Sequence, residues 1–279
     1  MKNLVNVNWL KENRGNEDIV IVDCRFDLMK HSYGQESYDN GHIPGAFFMD
    51  MEKDLASEVK EHGGRHPFPD LNELKEKLEN IGIGNNTTAV AYDDGDLAGA
   101  ARFWMLLKYM GHNNIYILNG GIKSWNECGY ELSLDRSVSN SRGVFDININ
   151  ENMLVKMEEV KEKLGKDNVA IVDAREEKRY KGKVEPIDKK PGHIPGALNY
   201  FWMEALNEDK DKLKTLEELE KHFEELNNYD EVILYCGSGL TTTVNSLALD
   251  ELGIKHKIYA GSYSDWVSYD DNEVEVSKI

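Results

Sequence analysis

The chain has 279 residues, 40% of them apolar, and a formal net charge of -18. The length suits one large domain or two ordinary ones, and the apolar share is enough for packed cores. A surface this acidic repels nucleic acid and anionic membrane, and no apolar run approaches the roughly 20 residues of a membrane span, so neither is expected as a partner.

Met1-Lys2-Asn3-Leu4 leads into polar residues rather than an apolar secretory segment. The first strong strand pattern is Ile19-Val20-Ile21-Val22, which runs into Asp23-Cys24-Arg25. Gly41-His42-Ile43-Pro44-Gly45-Ala46 follows, then a second apolar run, Val90-Ala91-Tyr92-Asp93, and then Gly120 with Trp125 five residues on. The same four features recur in the same order. They are Val169-Ala170-Ile171-Val172-Asp173-Ala174-Arg175, Gly192-His193-Ile194-Pro195-Gly196-Ala197, Ile233-Leu234-Tyr235-Cys236, and Gly261 with Trp266. A six-residue string that recurs in full, flanked by three further matches, marks a duplicated unit of about 140 residues.

Within the second copy, Val169–Asp173 and Glu231–Tyr235 are nearly continuous apolar runs, the pattern of parallel strands covered on both faces. Between them, Thr215 and Glu218 form a capping-box pattern opening a helix that ends near Leu226. A second helix is expected over Leu240–Leu252, closed by Gly253. This alternation predicts an α/β fold with a doubly wound parallel sheet in each copy. The first domain is placed at residues 1–135 and the second at 149–279. Residues 136–148 are the linker, because Arg136 to Gly143 is polar and without periodicity.

Three cysteines, Cys24, Cys128 and Cys236, are an odd number and point to reduced thiols in a cytoplasmic protein. No Cys or His cluster has the spacing of a zinc site. Cys236 ends a buried strand and is followed by Gly237-Ser238-Gly239-Leu240-Thr241 before a helix begins. In parallel α/β sheets, ligands bind at the carboxyl ends of strands. A tight glycine turn can aim backbone N–H groups at one point, and the helix adds its positive end. Both favour negative charge on sulfur, so Cys236 reads as a nucleophile and residues 237–241 as its anion cradle. The first copy has Tyr92-Asp93-Asp94-Gly95-Asp96 at the matching place. Three acids cannot hold an anion and Asp93 is no sulfur nucleophile, which confines catalysis to the second copy. His42 and His193, Asp23 and Asp173, and Arg25 and Arg175 occur in both copies and so read as structural. Trp125 and Trp266 read as helix-packing residues.

Together these residues resemble the rhodanese superfamily, specifically its tandem-domain sulfurtransferases, over nearly the whole chain. The marks are Asp-x-Arg after the first strand, the Gly-His-Ile-Pro-Gly-Ala string in both halves, and the Cys loop in the second half alone. The resemblance implies two tandem rhodanese-like domains, each a mostly parallel sheet flanked by helices. It also implies a persulfide on Cys236 that needs no cofactor. Sulfur would come from a small anionic donor and pass to a thiol acceptor such as thioredoxin or another dithiol, or to cyanide. Relatives that use thiosulfate carry basic residues directly after the Cys, and positions 237–241 here are uncharged. Cys-Gly-Ser-Gly-x-Thr is similar to the 3-mercaptopyruvate branch, with thiosulfate as the alternative donor. The family's substrate arginine matches Arg179, before Tyr180, where a guanidinium can hold a carboxylate bidentately. A second family basic residue before Gly192 is missing. The chain there reads Glu185-Pro186-Ile187-Asp188-Lys189-Lys190, with Lys189 or Lys190 as the nearest substitutes. The family's proton relay would use Ser238, a histidine matched by His66 in Gly64-Arg65-His66-Pro67, and an acid, Glu52 or Asp50.

Two rival readings are weaker. A phosphatase of the related kind needs an Arg six positions past the Cys, and position 242 is Thr. A non-catalytic binding module on the same fold is conceivable from the first copy, yet the second copy retains its Cys.

Overall fold

The computed structural model describes residues 1–277. The chain forms two compact units. Residues 1–57, 69–150 and 206–213 make the first, whereas residues 58–68, 151–205 and the chain from Lys214 onward make the second. Each unit thus takes up one short segment from the other half of the sequence. The stretch 136–148 has no helix or strand and belongs to the first unit, where Phe145 is buried and its backbone N–H is held by Glu79 Oε1 at 3.1 Å.

The first unit contains β1 (Leu4–Val5), α1 (Val7–Asn13), β2 (Ile19–Asp23), α2 (Tyr33–Asn40) and β3 (Ala46–Phe48), followed by α3 (Leu71–Asn80), β4 (Thr88–Tyr92), α4 (Ala98–Tyr109), β5 (Ile115–Leu118) and α5 (Gly121–Glu127). In the second, β6 (Leu154–Val155), α6 (Met157–Lys163), β7 (Val169–Asp173), α7 (Glu177–Tyr180) and β8 (Leu198–Asn199) precede α8 (Leu216–His222), β9 (Glu231–Tyr235), α9 (Thr242–Leu252), β10 (His256–Tyr259) and α10 (Ser262–Trp266). Both sheets have five parallel strands in the same order, β1-β5-β4-β2-β3 and β6-β10-β9-β7-β8. The registers repeat as well: Asp23 lies opposite Tyr92 and Asp173 opposite Tyr235. The central strands β4 and β9 are buried on both faces, as their unbroken apolar runs require.

The residues common to both copies tie strand ends to loops. Arg25 Nη2 donates to Asp23 Oδ2 at 2.6 Å and to the Gly41 carbonyl at 2.9 Å, and Arg175 Nη2 does the same to Asp173 at 2.7 Å and Gly192 at 2.6 Å. The phenols of Tyr92 and Tyr235 accept the N–H of Ile43 and Ile194. His42 stacks on Tyr38 and His193 on Tyr180, each with ring centroids 3.8 Å apart. The Trp125 and Trp266 indoles are buried and donate to the carbonyls of Glu131 and Glu273.

Two helices differ from expectation. The second starts at Thr242 rather than Leu240, because Gly239 sits in the left-handed region at φ 79° and the turn is completed only at Thr241. The Thr215 capping box is present, but its helix stops at His222 and tightens into a 3-10 turn over Glu224–Asn228 that buries Leu226. Among the described residues no helix is long and apolar enough to cross a membrane, and no group of three or more His, Cys, Asp or Glu is placed to hold a metal.

Candidate active site

Cys236 stands at the carboxyl end of β9 and is 1% exposed. Its Sγ accepts the Gly239 N–H at 3.2 Å. The outside of the loop is pinned by α10: Cys236 N donates to Ser262 Oγ at 3.2 Å, and the N–H groups of Tyr263 and Ser264 donate to the carbonyls of Cys236 and Gly237, both at 2.9 Å. Fixing the carbonyls outward leaves the N–H side of the turn to face the sulfur. A Cβ on Gly239 would run into the Ala260 carbonyl, so that residue needs both its conformation and its lack of a side chain. Leu240 is buried, and its carbonyl accepts from Thr243 Oγ1 at 2.6 Å, while Thr241 caps α9.

Ser238 is nearly buried, and its Oγ lies 2.8 Å from His66 Nδ1. His66 reaches it because residues 58–68 fold with the second unit. That segment is held by Gly63 N to Asp265 Oδ1 at 2.7 Å and Arg65 N to Ser264 Oγ at 3.1 Å. Asp50 and Glu52, the two acids suggested for the relay, belong to the first unit and have partners there. Glu52 pairs with His31, while Asp50 Oδ1 accepts the N–H groups of Glu52 and Lys53 at 3.0 and 3.1 Å.

Arg179, on α7, is turned toward the Cys loop: a Cβ on Gly237 would lie 3.5 and 3.6 Å from its two terminal nitrogens. A second guanidinium is there too. Arg65 Nη2 would be 2.8 Å from the same Cβ. Burial first, and then the neighbouring charge of Arg179, lowers the Arg65 pKa from its ordinary value. The sequence reading missed Arg65, although it lies beside His66. The signal available was a basic residue next to a chosen histidine, at a place the resemblance did not provide for.

A buried chain of alternating charges supports these arginines. Asp173 pairs with Arg175, Glu185 bridges Arg175 Nη1 at 3.2 Å and Arg179 Nη2 at 2.8 Å, and Asp188 bridges Arg179 Nη2 at 2.8 Å and Arg65 Nη1. The Glu185 and Asp188 side chains are each 2% exposed. Glu185 Oε1 also accepts the N–H groups of Ile187 and Asp188, which builds the turn that presents Asp188. Lys189 is exposed and the Lys190 ammonium is directed to the Asp270 carbonyl, so the charges this segment contributes to the site are its acids.

The first unit's counterpart differs in kind. Asp93 directs its own carboxylate into the turn, accepting N–H groups from Gly95 at 2.9 Å, Leu97 at 3.2 Å and Ala100 at 3.0 Å. Burial, and then Asp96, raise its pKa to about 7. Cys24 is buried next to Asp23 and Cys128 is exposed at the end of α5.

A strand-end cysteine whose sulfur accepts a backbone N–H, with two guanidinia beside its loop, is an arrangement suited to anionic ligands and to sulfur nucleophilic chemistry. Comparison with known proteins agrees with that class. The rhodanese-like domain family model matches residues 6–128 and again 156–269, and the chain belongs to this family, with two tandem copies of its domain. It is a sulfurtransferase of the two-domain kind. A Pseudomonas aeruginosa protein named "Probable 3-mercaptopyruvate sulfurtransferase" is 38% identical over 272 residues, 95% of either chain. The rat thiosulfate sulfurtransferase is 29% identical over 289 residues, 99% of this chain and 95% of the relative. The crystal structure of SseA from Escherichia coli, described as a 3-mercaptopyruvate sulfotransferase, superposes with a TM-score of 0.81 at 31% identity, covering 95% of this chain and all of that one.

Proposed function

We propose that the protein takes sulfur from 3-mercaptopyruvate onto Cys236 and delivers it to a thiol acceptor. The observation that carries this reading is the Cys236 turn, uncharged from 237 to 241, with the Arg179 guanidinium over Gly237. In the first step the Cys236 thiolate attacks the donor sulfur. An S–S bond forms, the donor C–S bond breaks, and its electron pair leaves as the enolate of pyruvate, which then takes a proton. The turn's N–H groups hold the negative charge on the sulfur of the enzyme before and after attack. Ser238 and His66 supply the proton path. In the second step an acceptor thiolate attacks the outer sulfur and Cys236 leaves as thiolate.

No cofactor is needed, because the sulfur is carried covalently. Thioredoxin or another dithiol suits as acceptor, since its second thiol can release the sulfur as hydrogen sulfide while a disulfide forms. Three unpaired cysteines suit a reducing, cytoplasmic setting. Thiosulfate is the second reading, favoured by the rat relative's name and disfavoured by the absence of charge directly after Cys236.

The test is intact mass after exposure to each donor. The wild type should gain one sulfur, about 32 Da, on Cys236, faster with mercaptopyruvate than with thiosulfate. Cys236→Ser should gain none while keeping its melting temperature. A full adduct on Cys236→Ser, or a preference for thiosulfate, would overturn the corresponding part of the reading.

A further inference from the structure

We propose that the segment between Tyr180 and Gly192 presents a docking surface for the sulfur acceptor, and that this acceptor is an acidic protein. The proposal rests on the sulfur-transfer reading above and names the partner class of that site.

The two copies of the fold supply the control. In the first, the Tyr38 carbonyl meets His42 Nδ1 at 2.8 Å, and the Tyr38 phenol donates to the Ala46 carbonyl at 2.8 Å. In the second, the Tyr180 carbonyl meets His193 Nδ1 at 2.7 Å, and the Tyr180 phenol donates to the Ala197 carbonyl at 2.5 Å. The same closure takes four positions from Tyr38 to His42 but thirteen from Tyr180 to His193, so the second copy carries nine extra residues. The first copy shows that the fold does not require them. They lie beside the Cys236 loop. Asp188 pairs with Arg179, whose Nη1 would be 3.5 Å from a Cβ on Gly237. The Lys190 carbonyl accepts the Tyr263 phenol at 3.1 Å, and the Tyr263 N–H holds the Cys236 carbonyl.

The charges of this segment are sorted by side. Lys178 to Lys190 holds six bases and two acids, in a chain of net charge -18. Both acids, Glu185 and Asp188, turn inward, with side chains 2% exposed. The lysines stay outside. Lys178 and Lys181 form exposed pairs with Glu176 and Glu177, of the kind that contributes little. Lys183 and Lys189 are exposed, and neither ammonium forms an ion pair among the described residues. Between them Val184 and Ile187 are each 50% exposed. Val276, 51% exposed, adds to this apolar surface, since its Cγ1 would be 2.9 Å from a Cβ on Gly182. An apolar centre with a cationic rim, next to the nucleophile, matches a protein whose own contact surface is apolar with an acidic rim. The net charge of the chain repels such a partner elsewhere, so the patch orients it with its thiol toward Cys236. A bilayer or a nucleic-acid duplex would extend past the patch onto the acidic surface, whereas a small protein does not.

The experiment uses the full chain and reads binding separately from sulfur transfer. The probe is a thioredoxin of negative net charge with both active-site cysteines replaced by serine. It is titrated calorimetrically into the wild type, Lys183→Glu and Ile187→Ser at low salt. The wild type should bind it, and added salt should weaken that binding. Lys183→Glu should bind about 10-fold more weakly, and Ile187→Ser about 3- to 10-fold more weakly. Turnover with the reduced, unsubstituted thioredoxin should show the same losses in KM. Dithiothreitol, a small uncharged dithiol, should serve all three proteins equally, which guards against misfolding. No binding by the wild type, equal binding by all three proteins, or an equal loss with dithiothreitol overturns the proposal. Self-association that depends on Lys183, or Lys183-dependent binding to phosphatidylserine vesicles with none to thioredoxin, gives the surface another occupant and also overturns it. If thioredoxin binding depends on Lys183 and Ile187 but the wild type draws sulfur from neither donor, the functional reading fails while the docking surface stands.

Discussion

Asp93 and Cys236 occupy the same place in two copies of one fold; the Asp93 carboxylate accepts the N–H groups of Gly95, Leu97 and Ala100, and the Cys236 sulfur that of Gly239. In the first copy the anion is the side chain's own carboxylate, so the turn is already filled. In the second it is a sulfur, the atom proposed to carry the transferred sulfur. The contrast between the two copies was legible from sequence, since the duplication supplies its own control, and it is what supports proposing Cys236 as the nucleophile. The pairing of His66 with Ser238, 2.8 Å apart, was anticipated only through the family resemblance. If that pair moves the proton to the departing enolate, Ser238→Ala and His66→Asn should each lower kcat for mercaptopyruvate about 10- to 100-fold with little change in KM. Steady-state kinetics check this, and the double variant should be no worse than the slower single one. A loss confined to KM would assign the pair to donor binding instead.

At the scale of elements, the strand–turn–helix of β9 and α9 was readable because a buried parallel strand and a Gly-rich turn both have strong local signatures. Where α9 begins was not, because Gly239 takes a left-handed φ and lies where a Cβ would meet the Ala260 carbonyl, a residue twenty-one positions away. Gly239→Ala should cost more than about 1 kcal/mol of stability and slow persulfide formation. Gly253→Ala makes a suitable control, since Gly253 shares the left-handed conformation at φ 72° but has open space around it. That substitution should cost about 1 kcal/mol and leave transfer unchanged. Denaturant unfolding and donor kinetics on both variants decide between local strain and steric exclusion at the loop. The segment 185–190 was misread for a related reason. Its lysines are conspicuous in sequence, yet it is the acids that turn inward, paired with Arg175 and Arg179 from the segment before them and with Arg65 from far upstream.

At the scale of the whole molecule, the buried Asp93 makes stability depend on pH. Burial, and then Asp96, raise its pKa to about 7, above its value in the unfolded chain. The resulting stabilisation is complete below the ordinary carboxylate range and is lost as pH rises through about 7. The first unit should therefore gain on the order of 1 kcal/mol as pH falls from about 8 to about 6. His112 acts the other way, because its burial lowers its pKa and its neutral form is favoured on folding, so the gain should level off below about pH 6.5. Melting curves over this range at high salt test the point, since salt screens the repulsion of the -18 net charge but not a buried carboxyl. A flat profile at high salt would remove Asp93 from the account.

The sequence alone determined the duplication, the parallel α/β class, the placing of a cysteine at the end of the second copy's central strand and the uncharged turn after it. These depend on local periodicity and on residues adjacent in the chain. Only the tertiary structure decided that residues 58–68 fold with the second unit, which carries Arg65 as well as His66 to the Cys236 loop, and that Asp188 joins Arg65 to Arg179. Residue 65, the 179–188 segment and residue 236 are far apart in sequence, and no periodicity links them. Their meeting follows from burial: charged groups taken out of water must find one another, and which ones do so is settled when the chain packs.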